Sequence, residues 1–356
     1  MLRNTQPSSP SLTTRVALAV CAVLSLTGTA LGQAPAPAPA AAPAVAPVDK
    51  VLCIFDPSGA HGDIYKFADS YQAAALGLGV RFKLKAYTDE VVANQDFKAG
   101  QCQAALLTSL RVRAFVKSTG TIEAIGALQS YGELKQVISA LASPKAAGLV
   151  KQGAHETIGI LPGGAVYLLL RDRKLNTMDK IAGKKIAVLT HDQPARTMVD
   201  IVGASMVGAE VGTFAGIFNN GRADACYSPA TAVKPLELTK GMAGGGGIVR
   251  YPLAQLTFQI VARSADLPAD FGQKSREWVA SQFAEGKRMA ESAEKAISGG
   301  LWIDIDATAK PGYASKFRDV RVALRDKGVY DARVLKLMKK VRCKGATAGE
   351  CVEPAE

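Results

Sequence analysis

One pattern occurs twice in this chain, as Phe97-Lys-Ala-Gly100-Gln-Cys-Gln-Ala104 and again as Phe218-Asn-Asn-Gly221-Arg-Ala-Asp-Ala225. Each copy ends a helical pattern at its glycine and opens a short apolar strand within four residues. Glycine accepts the left-handed backbone that closes a helix, so each copy is typical of the second half of a β-α-β unit. The repetition predicts two similar α/β lobes, and a cleft between two lobes is suited to hold a small molecule.

The N-terminus has the organisation of a secretory signal peptide. Basic residues precede an apolar run over residues 16–26, and Ala30 and Gly32 place small side chains where signal peptidase reads them. We predict cleavage after Gly32, so that residues 1–32 are a signal peptide and the mature protein is periplasmic. A membrane anchor is the alternative, but about 20 apolar residues are needed to span a bilayer and this run is shorter.

Residues 33–48 consist almost entirely of alanine and proline. Such a tract has little to bury and its prolines keep it extended, which is typical of a linker ahead of a folded part. We expect the folded part to begin near Asp49. The remaining chain, about 300 residues, is long enough for one large or two medium α/β lobes.

The chain carries a formal net charge of +12 at pH 7. A basic balance serves proteins that bind nucleic acid, anionic lipid or anionic ligands. Here the charges are scattered, and the densest cluster falls on and just after an amphipathic C-terminal helix, at Lys336, Lys339, Lys340, Arg342 and Lys344. No aromatic residues interleave with this cluster as they do in single-strand binders, so we expect a solvated helix face and no nucleic-acid partner.

Five cysteines follow the predicted cleavage site. Export compartments favour disulfides, and Cys343 and Cys351 flank a short glycine-containing loop that is easily closed. Cys53 lies in the first predicted strand and Cys102 just before the third, and these strands are neighbours in a sheet of order 2-1-3. We predict both disulfides and leave Cys226 as a buried free thiol. No Cys-x-x-Cys or paired-histidine spacing occurs, so neither a metal nor a cofactor is expected.

Strand and helix patterns alternate along the mature chain. We predict a first lobe over residues 49–165, a second lobe over 166–255, and a return strand with C-terminal helices that pack on both lobes over 256–356. Two short strands, 155–160 and 165–171, carry the chain between the lobes, with a bend at the intervening Pro-Gly-Gly.

Longer segments of the chain resemble two related protein families. The run Thr177-Met-Asp-Lys-Ile-Ala-Gly-Lys-Lys-Ile-Ala-Val188, with residues 218–224 and 227–229, resembles the second lobe of DctP-type substrate-binding proteins of TRAP transporters. A closer resemblance, to the AdeT-like solute-binding family, is carried by six segments: residues 55–56, 83–90, 96–102, 234–238, 271–276 and 339–343. The resemblance covers essentially the whole mature chain. It implies a two-lobed α/β fold of the type II periplasmic-binding-protein kind, with hinge strands and C-terminal bracing helices.

One position departs from the TRAP pattern. In those proteins the strand after the Gly-Lys-Lys-Ile stretch usually supplies an arginine that forks onto a ligand carboxylate, a geometry that lysine does not reproduce. Ala187 stands at that position here. The departure predicts either a different ligand or a relocated cation, and Arg111 is our candidate for that cation.

The ligand is expected at the carboxyl ends of the strands, where open α/β lobes form their crevices. In the first lobe the residues that follow the first and third strands are Asp56, Ser58, His61, Asp63, Thr108, Ser109 and Arg111. In the second lobe they are His191, Asp192, Tyr227 and Ser228. Structural alternatives exist for three of them: a turn cap for Asp56, a helix cap for Asp63 and a core position for Tyr227.

These patterns predict a periplasmic solute-binding protein that captures a small ligand, with an anionic ligand among the options, for a TRAP-like membrane permease. The alternative is a periplasmic adaptor that keeps the fold and binds a partner protein instead of a solute. An enzyme is not expected, because the chain has three histidines and no nucleophile elbow, H-E-x-x-H or Walker motif.

Overall fold

The computed structural model describes residues 46–345, 351 and 352. The predicted signal peptide and most of the predicted linker therefore lie outside the described residues. The strands are β1 (Val48–Phe55), β2 (Val80–Tyr87), β3 (Ala104–Thr108), β4 (Lys151–Gln152), β5 (His155–Leu170), β6 (Lys185–Leu189), β7 (Ser205–Ala209), β8 (Ala225–Pro229), β9 (Gly247–Val249), β10 (Ala254–Arg263) and β11 (Trp302–Ile303). Val48, which the sequence assigned to the linker, already belongs to β1.

The helices lie between these strands and after them. They are α1 (Asp63–Gly77), α2 (Glu90–Lys98), α3 (Ser109–Val112), α4 (Lys117–Gly120), α5 (Tyr131–Ala142), α6 (Ala147–Val150), α7 (Met178–Ile181), α8 (Gln193–Ile201), α9 (Val211–Asn219), α10 (Ala230–Val233), α11 (Thr239–Met242), α12 (Phe271–Ser281), α13 (Phe283–Ala296), α14 (Lys310–Asp326) and α15 (Ala332–Arg342). None of the helices in residues 46–345 combines the length and hydropathy of a membrane span.

A single sheet has the strand order β2-β1-β3-β10-β5-β8-β6-β7. Its two outer thirds are parallel triplets: β1 pairs with β2 and β3, and β6 pairs with β7 and β8. Each triplet has the order 2-1-3 when its strands are numbered along the chain. The predicted repetition of one strand-and-helix unit is therefore confirmed. The second triplet also contains β7, a strand that the sequence did not reveal because Ser205 and Gly208 interrupt its apolar pattern.

Both repeated glycines close their helices in the same way. Gly100 has φ +83° and Gly221 has φ +76°. The Gly100 amide donates to Phe97 O at 3.2 Å and the Gly221 amide donates to Phe218 O at 3.1 Å. In each copy the next amide donates to the carbonyl one residue further back, which completes a Schellman cap. The cap turns the chain directly into β3 or β8, the strands whose ends form the site described below.

Two antiparallel strands connect the triplets. β10 pairs with β3 on one side and with β5 on the other, and the far end of β5 pairs with β8. The sequence-based prediction of two strands with a bend between them is wrong, because β5 continues through the Pro-Gly-Gly stretch. A bulge accommodates that stretch: the register shifts so that Leu256 faces Gly164 and Thr257 faces Pro162. A bulge suits the missing amide of Pro162 and the positive φ of Gly164, +113°.

The C-terminal helices brace the sheet. α12 and α13 pack against β5, α14 packs against α8, and α15 packs against α5. α13 crosses the bulge at a glycine: a Cβ built on Gly286 would lie 2.8 Å from Pro162 Cδ and 2.9 Å from Leu161 Cδ1. The close approach holds α13 directly on the strand that joins the two triplets.

Both predicted disulfides are confirmed. Cys53 and Cys102 are bonded, with Cα atoms 5.8 Å apart, because β1 and β3 are adjacent as the 2-1-3 order requires. Cys343 and Cys351 are bonded across a separation of eight residues. Cys226 is a buried free thiol whose pKa is raised by burial.

Candidate functional site

A cavity of about 710 Å³ lies where the carboxyl ends of the two parallel triplets meet. Residues that follow β1 and β3 line it from one triplet, and residues that follow β6 and β8 line it from the other. The bulge of β5 and the N-terminal part of β10 also contribute, as does α13. Both halves of the sheet therefore line one cavity, at the edge where the sequence predicts the ligand site.

Most of the cavity wall is apolar. One part of the wall comes from α7, β6 and α8, whose lining residues also belong to the largest buried cluster of the fold: Met178, Ile181, Ile186, Val188, Val199 and Val202. Opposite elements add Leu168, Leu253, Leu256, Phe258 and Met289. A wall of this composition favours a ligand with a substantial apolar body.

The charged and polar lining residues come from both triplets. They are Asp56, Ser58, Asp63, Thr88, Glu90, Thr108, Arg113, Glu123, His191, Asp192, Tyr227, Ser228, Thr231 and Ser292. Five of these are carboxylates, and Arg113 is the one lysine or arginine among the lining residues. The cavity lining therefore carries five carboxylates and a single guanidinium.

The structure brings together eight of the eleven residues that the sequence selected. Asp56, Ser58, Asp63, Thr108, His191, Asp192, Tyr227 and Ser228 line the cavity, whereas His61, Ser109 and Arg111 do not. His61 belongs to the turn before α1 and is exposed, and Ser109 is the fully buried first residue of α3. Position after a strand was thus a good guide to the region, but which way each side chain points depends on its local turn.

Asp56 caps the loop that follows β1. Its Oδ1 accepts from the Ser58 amide at 2.8 Å, and its Oδ2 accepts from the amides of Ile64 and Tyr65 at 2.9 and 3.1 Å. The residue before α1 is Gly62, and a Cβ there would lie 1.9 Å from the Asp56 carboxylate. Asp56 therefore supplies the helix cap that the sequence alternative assigned to Asp63, which instead pairs with Lys66 on the exposed first turn.

Arg111 is held away from the cavity by a carboxylate. Its Nε lies 3.5 Å from Glu90 Oε2, and Glu90 Oε1 accepts the Thr108 amide at 2.7 Å. Burial raises the pKa of Glu90 above its ordinary value, while the Thr108 hydrogen bonds and Arg111 act to lower it. The pair fixes α2 against the end of β3, and Arg111 is not placed to meet a ligand in this cavity.

A hydrogen bond between Asp192 and Tyr227 links α8 to β8 beside the cavity. Asp192 is the N-cap of α8 and accepts the Ala195 amide at 3.0 Å, while its other oxygen accepts the Tyr227 hydroxyl at 2.8 Å. The same hydroxyl accepts the Leu189 amide at 3.3 Å. Burial lowers the pKa of the neighbouring His191, and Arg111 lowers it further, while Asp192 and Glu210 oppose them. His191 is therefore biased towards its neutral form.

The pair that the sequence did not select is Arg113 and Glu123. Both line the cavity, and both side chains are only 11% exposed. Arg113 lies two residues beyond Arg111, so proximity to the end of β3 could have found it, but Glu123 has no local signal. It reaches the cavity only because the chain folds back after α4.

Ala187 does not line the cavity. It is fully buried in a cluster with Ile217 and Phe218, whereas its neighbours Ile186 and Val188 line the cavity. In this chain a core residue thus occupies the position that carries an arginine in the TRAP pattern.

Comparisons with known proteins agree with this architecture. The sequence model of the family described as "Solute-binding protein AdeT 1/2" matches residues 74–355. The protein named "Probable solute-binding protein AdeT1" from Acinetobacter baumannii is 39% identical over 291 residues, which cover 82% of this chain and 96% of that protein.

Solved structures of TRAP periplasmic solute-binding proteins share the two-lobed fold. One from Desulfovibrio salexigens, with bound orotic acid, has a TM-score of 0.64 at 12% identity and covers 83% of this chain and 97% of its own. Another, from Sulfitobacter sp. NAS-14.1 with bound β-D-galacturonate, has a TM-score of 0.62 at 11% identity and covers 83% and 99%. The predicted fold class is confirmed, and the extent and identity of the matches show that the chain belongs to the AdeT 1/2 family of solute-binding proteins.

Proposed function

We propose that this protein captures a small molecule in the cavity between its two triplets and presents it to a membrane permease. One observation carries the proposal: the space of about 710 Å³ is built by the strand ends of both halves at once. A ligand there contacts both halves, so its binding energy favours the arrangement in which they close on it. A cavity of this size is in the ordinary range for small-molecule sites.

Several features support capture without chemistry. Most of the carboxylates that line the cavity are engaged in caps and ion pairs, as Asp56, Glu90 and Asp192 illustrate. His191, the one imidazole among the lining residues, lies beside the cap of α8 and has no hydrogen bond to a serine or cysteine in the described part of the chain. Membership in a solute-binding family agrees with this interpretation.

Export to the periplasm fits the two disulfides, because oxidising compartments maintain such bonds. The TRAP structures of the same fold hold orotic acid and a uronate, which are carboxylates, in proteins named periplasmic. A TRAP-like permease is accordingly the partner that we propose for delivery.

The test is a thermal-shift screen with a blocked cavity as control. The purified protein is screened against organic acids, amines, amino acids, sugars and apolar acids, because a ligand that binds only the folded state raises its melting temperature. A hit should disappear in Ala232→Trp, which places an indole at the partly exposed cavity wall on α10. The same hit should persist in Ala296→Trp, an exposed position of α13 that does not line the cavity.

Hits that survive Ala232→Trp would contradict binding in this cavity. A well-folded protein with no hit in any chemical class would contradict solute capture and support the adaptor alternative.

A further inference from the structure

The guanidinium of Arg113 has unused hydrogen-bond donors in a cavity that is otherwise apolar and acidic. Its Nε donates to Gly120 O at 3.1 Å, and its guanidinium carbon lies 5.3 Å from the centre of the Tyr330 ring. These two contacts hold the guanidinium in place. Its terminal nitrogens have no hydrogen bond within the described part of the chain, and the nearest carboxylate oxygen, Glu123 Oε2, is 3.9 Å away. That distance is too long for a hydrogen bond.

The carboxylates that share the cavity with Arg113 differ in their hydrogen bonding and in their pKa. Asp192 is satisfied by the Ala195 amide and the Tyr227 hydroxyl, whereas Glu90 accepts the Thr108 amide and lies 3.5 Å from Arg111 Nε. Glu123 faces Arg113, Ser109, Asp192 and Glu90, and the two acids oppose its ionisation. Burial is the largest effect and raises the pKa of Glu123 to about 7, although Arg113 and Ser109 act to lower it.

We propose that Arg113 binds the anionic group of an amphiphilic ligand whose apolar body fills the cavity, and that proton uptake by Glu123 releases Arg113 for this contact. The inference rests on the proposed function and adds the ligand class and the residue that selects it. When Glu123 is ionised, its charge compensates the guanidinium at 3.9 Å. When it takes a proton from solution, the guanidinium keeps its charge and its fork of donors turns to the ligand.

The cavity walls select the rest of the ligand. Along the wall built by α7, β6 and α8 the apolar side chains would leave a uronate's hydroxyl groups without partners, which is costly in a buried site. An aryl or branched alkyl acid matches both the apolar wall and the guanidinium of Arg113. A cationic amphiphile would instead meet Asp192 and Glu90, whose oxygens already accept protein hydrogen bonds, and the like charge of Arg113.

Three probes of one shape and different charge test the ligand class: 3-phenylpropanoate, 3-phenylpropanamide and 3-phenylpropylamine. Isothermal titration calorimetry of the whole mature protein is expected to show that the carboxylate binds at least ten times more tightly than the amide. Because binding requires protonated Glu123, the affinity for the carboxylate should rise about tenfold between pH 8 and pH 6. Buffers of different ionisation enthalpy should report the uptake of a proton at pH 8.

Variants assign these effects to residues. Arg113→Gln should remove the preference for the carboxylate over the amide, and Arg113→Lys should recover only part of it, since an ammonium lacks the fork. Glu123→Gln should bind the carboxylate with an affinity that no longer depends on pH. Arg196→Gln is the matched control, because Arg196 is an exposed arginine of α8 that does not line the cavity.

A stronger response to the amine, or a carboxylate preference that survives Arg113→Gln in a folded variant, would overturn the proposal. If the single variant does not fold, the double variant Arg113→Gln, Glu123→Gln is tested in its place, because removing both charges keeps the site neutral. Failure of all three probes at 10 mM also overturns this ligand class. The proposed function would then still stand if a compound of another class binds and Ala232→Trp abolishes that binding.

Discussion

The hydroxyl of Tyr227 donates to Asp192 Oδ2 at 2.8 Å and thereby links the middle of β8 to the N-cap of α8. The two residues lie 35 positions apart in the chain, and both line the cavity. Burial raises the pKa of Tyr227 well above its ordinary value, and the adjacent Asp192 adds to the effect. Tyr227 therefore remains a neutral donor, and the cap of α8 depends on a side chain from another strand.

Tyr227→Phe should destabilise the protein by about 1.5–3 kcal/mol, the usual contribution of a hydrogen bond to a charged group. The loss has two parts, because Asp192 loses a donor and the Leu189 amide loses its acceptor. Chemical denaturation measures the change. Tyr65→Phe is the control, since no hydrogen bond of its hydroxyl is found among the described residues; an equal loss in both variants would refute the role of the Tyr227 contact.

Gly286→Ala should lower stability by about 1–3 kcal/mol although alanine favours helices, because overpacking outweighs propensity where space is lacking. A methyl group there would lie 2.8 Å from Pro162 Cδ, on the bulge of β5. Gly312→Ala, in α14 with no atom within 4 Å of its Cβ, should be neutral or slightly stabilising. Thermal melts of both variants decide the point, and an unchanged Gly286→Ala melt would show that α13 can shift off the strand.

The two disulfides should contribute unequally. Cross-linking restricts the unfolded chain more when the closed loop is longer, so loop-closure estimates give about 4 kcal/mol for Cys53–Cys102 and about 2.5 kcal/mol for Cys343–Cys351. Their sequence separations are 49 and 8. Paired alanine variants of each disulfide, compared by denaturant unfolding, should rank in this order. A larger loss on removing Cys343–Cys351 would contradict the argument.

Glu123 should make the protein less stable as pH rises. Its pKa is raised to about 7 in the folded protein against an ordinary value of 4.5, so the folded state binds more protons than the unfolded state between these pH values. Its contribution to the free energy of unfolding is present in full below about pH 4.5 and falls as the pH rises to about 7.

Glu123→Gln removes this titration. The variant should therefore gain stability relative to the unmodified protein as pH increases from 5 to 8, and unfolding curves across that range measure the difference. A constant difference between the two proteins would mean that Glu123 titrates normally in the folded state.

Much of the architecture was predictable because its signals are local. A Schellman cap needs only the last helical turn and a glycine, so the copies at Gly100 and Gly221 predicted two equivalent strand-helix units before their sheet was known. The order 2-1-3 then placed Cys53 beside Cys102, as the disulfide confirms. The general location of the cavity followed from the same topology, because parallel strands end at one edge of a sheet.

The residues that complete the cavity were decided by contacts between distant parts of the chain. Sequence position alone favoured Arg111 as the ligand-binding cation. Arg111 instead pairs with Glu90, and Arg113 is the arginine that lines the cavity. The continuity of β5 through Pro162 depends on β10, which supplies a partner on both sides of the bulge.

The sequence by itself thus determined the repeated units, their caps, the disulfide partners and the edge of the sheet where the cavity lies, because local patterns together with the general rules for ordering parallel strands encode each of these. Only the tertiary structure decided which charged side chains reach the cavity. Glu123 meets Arg113 at 3.9 Å within a wall built by both triplets, and its ionisation depends on how deeply that wall buries it, a quantity that no short stretch of sequence specifies.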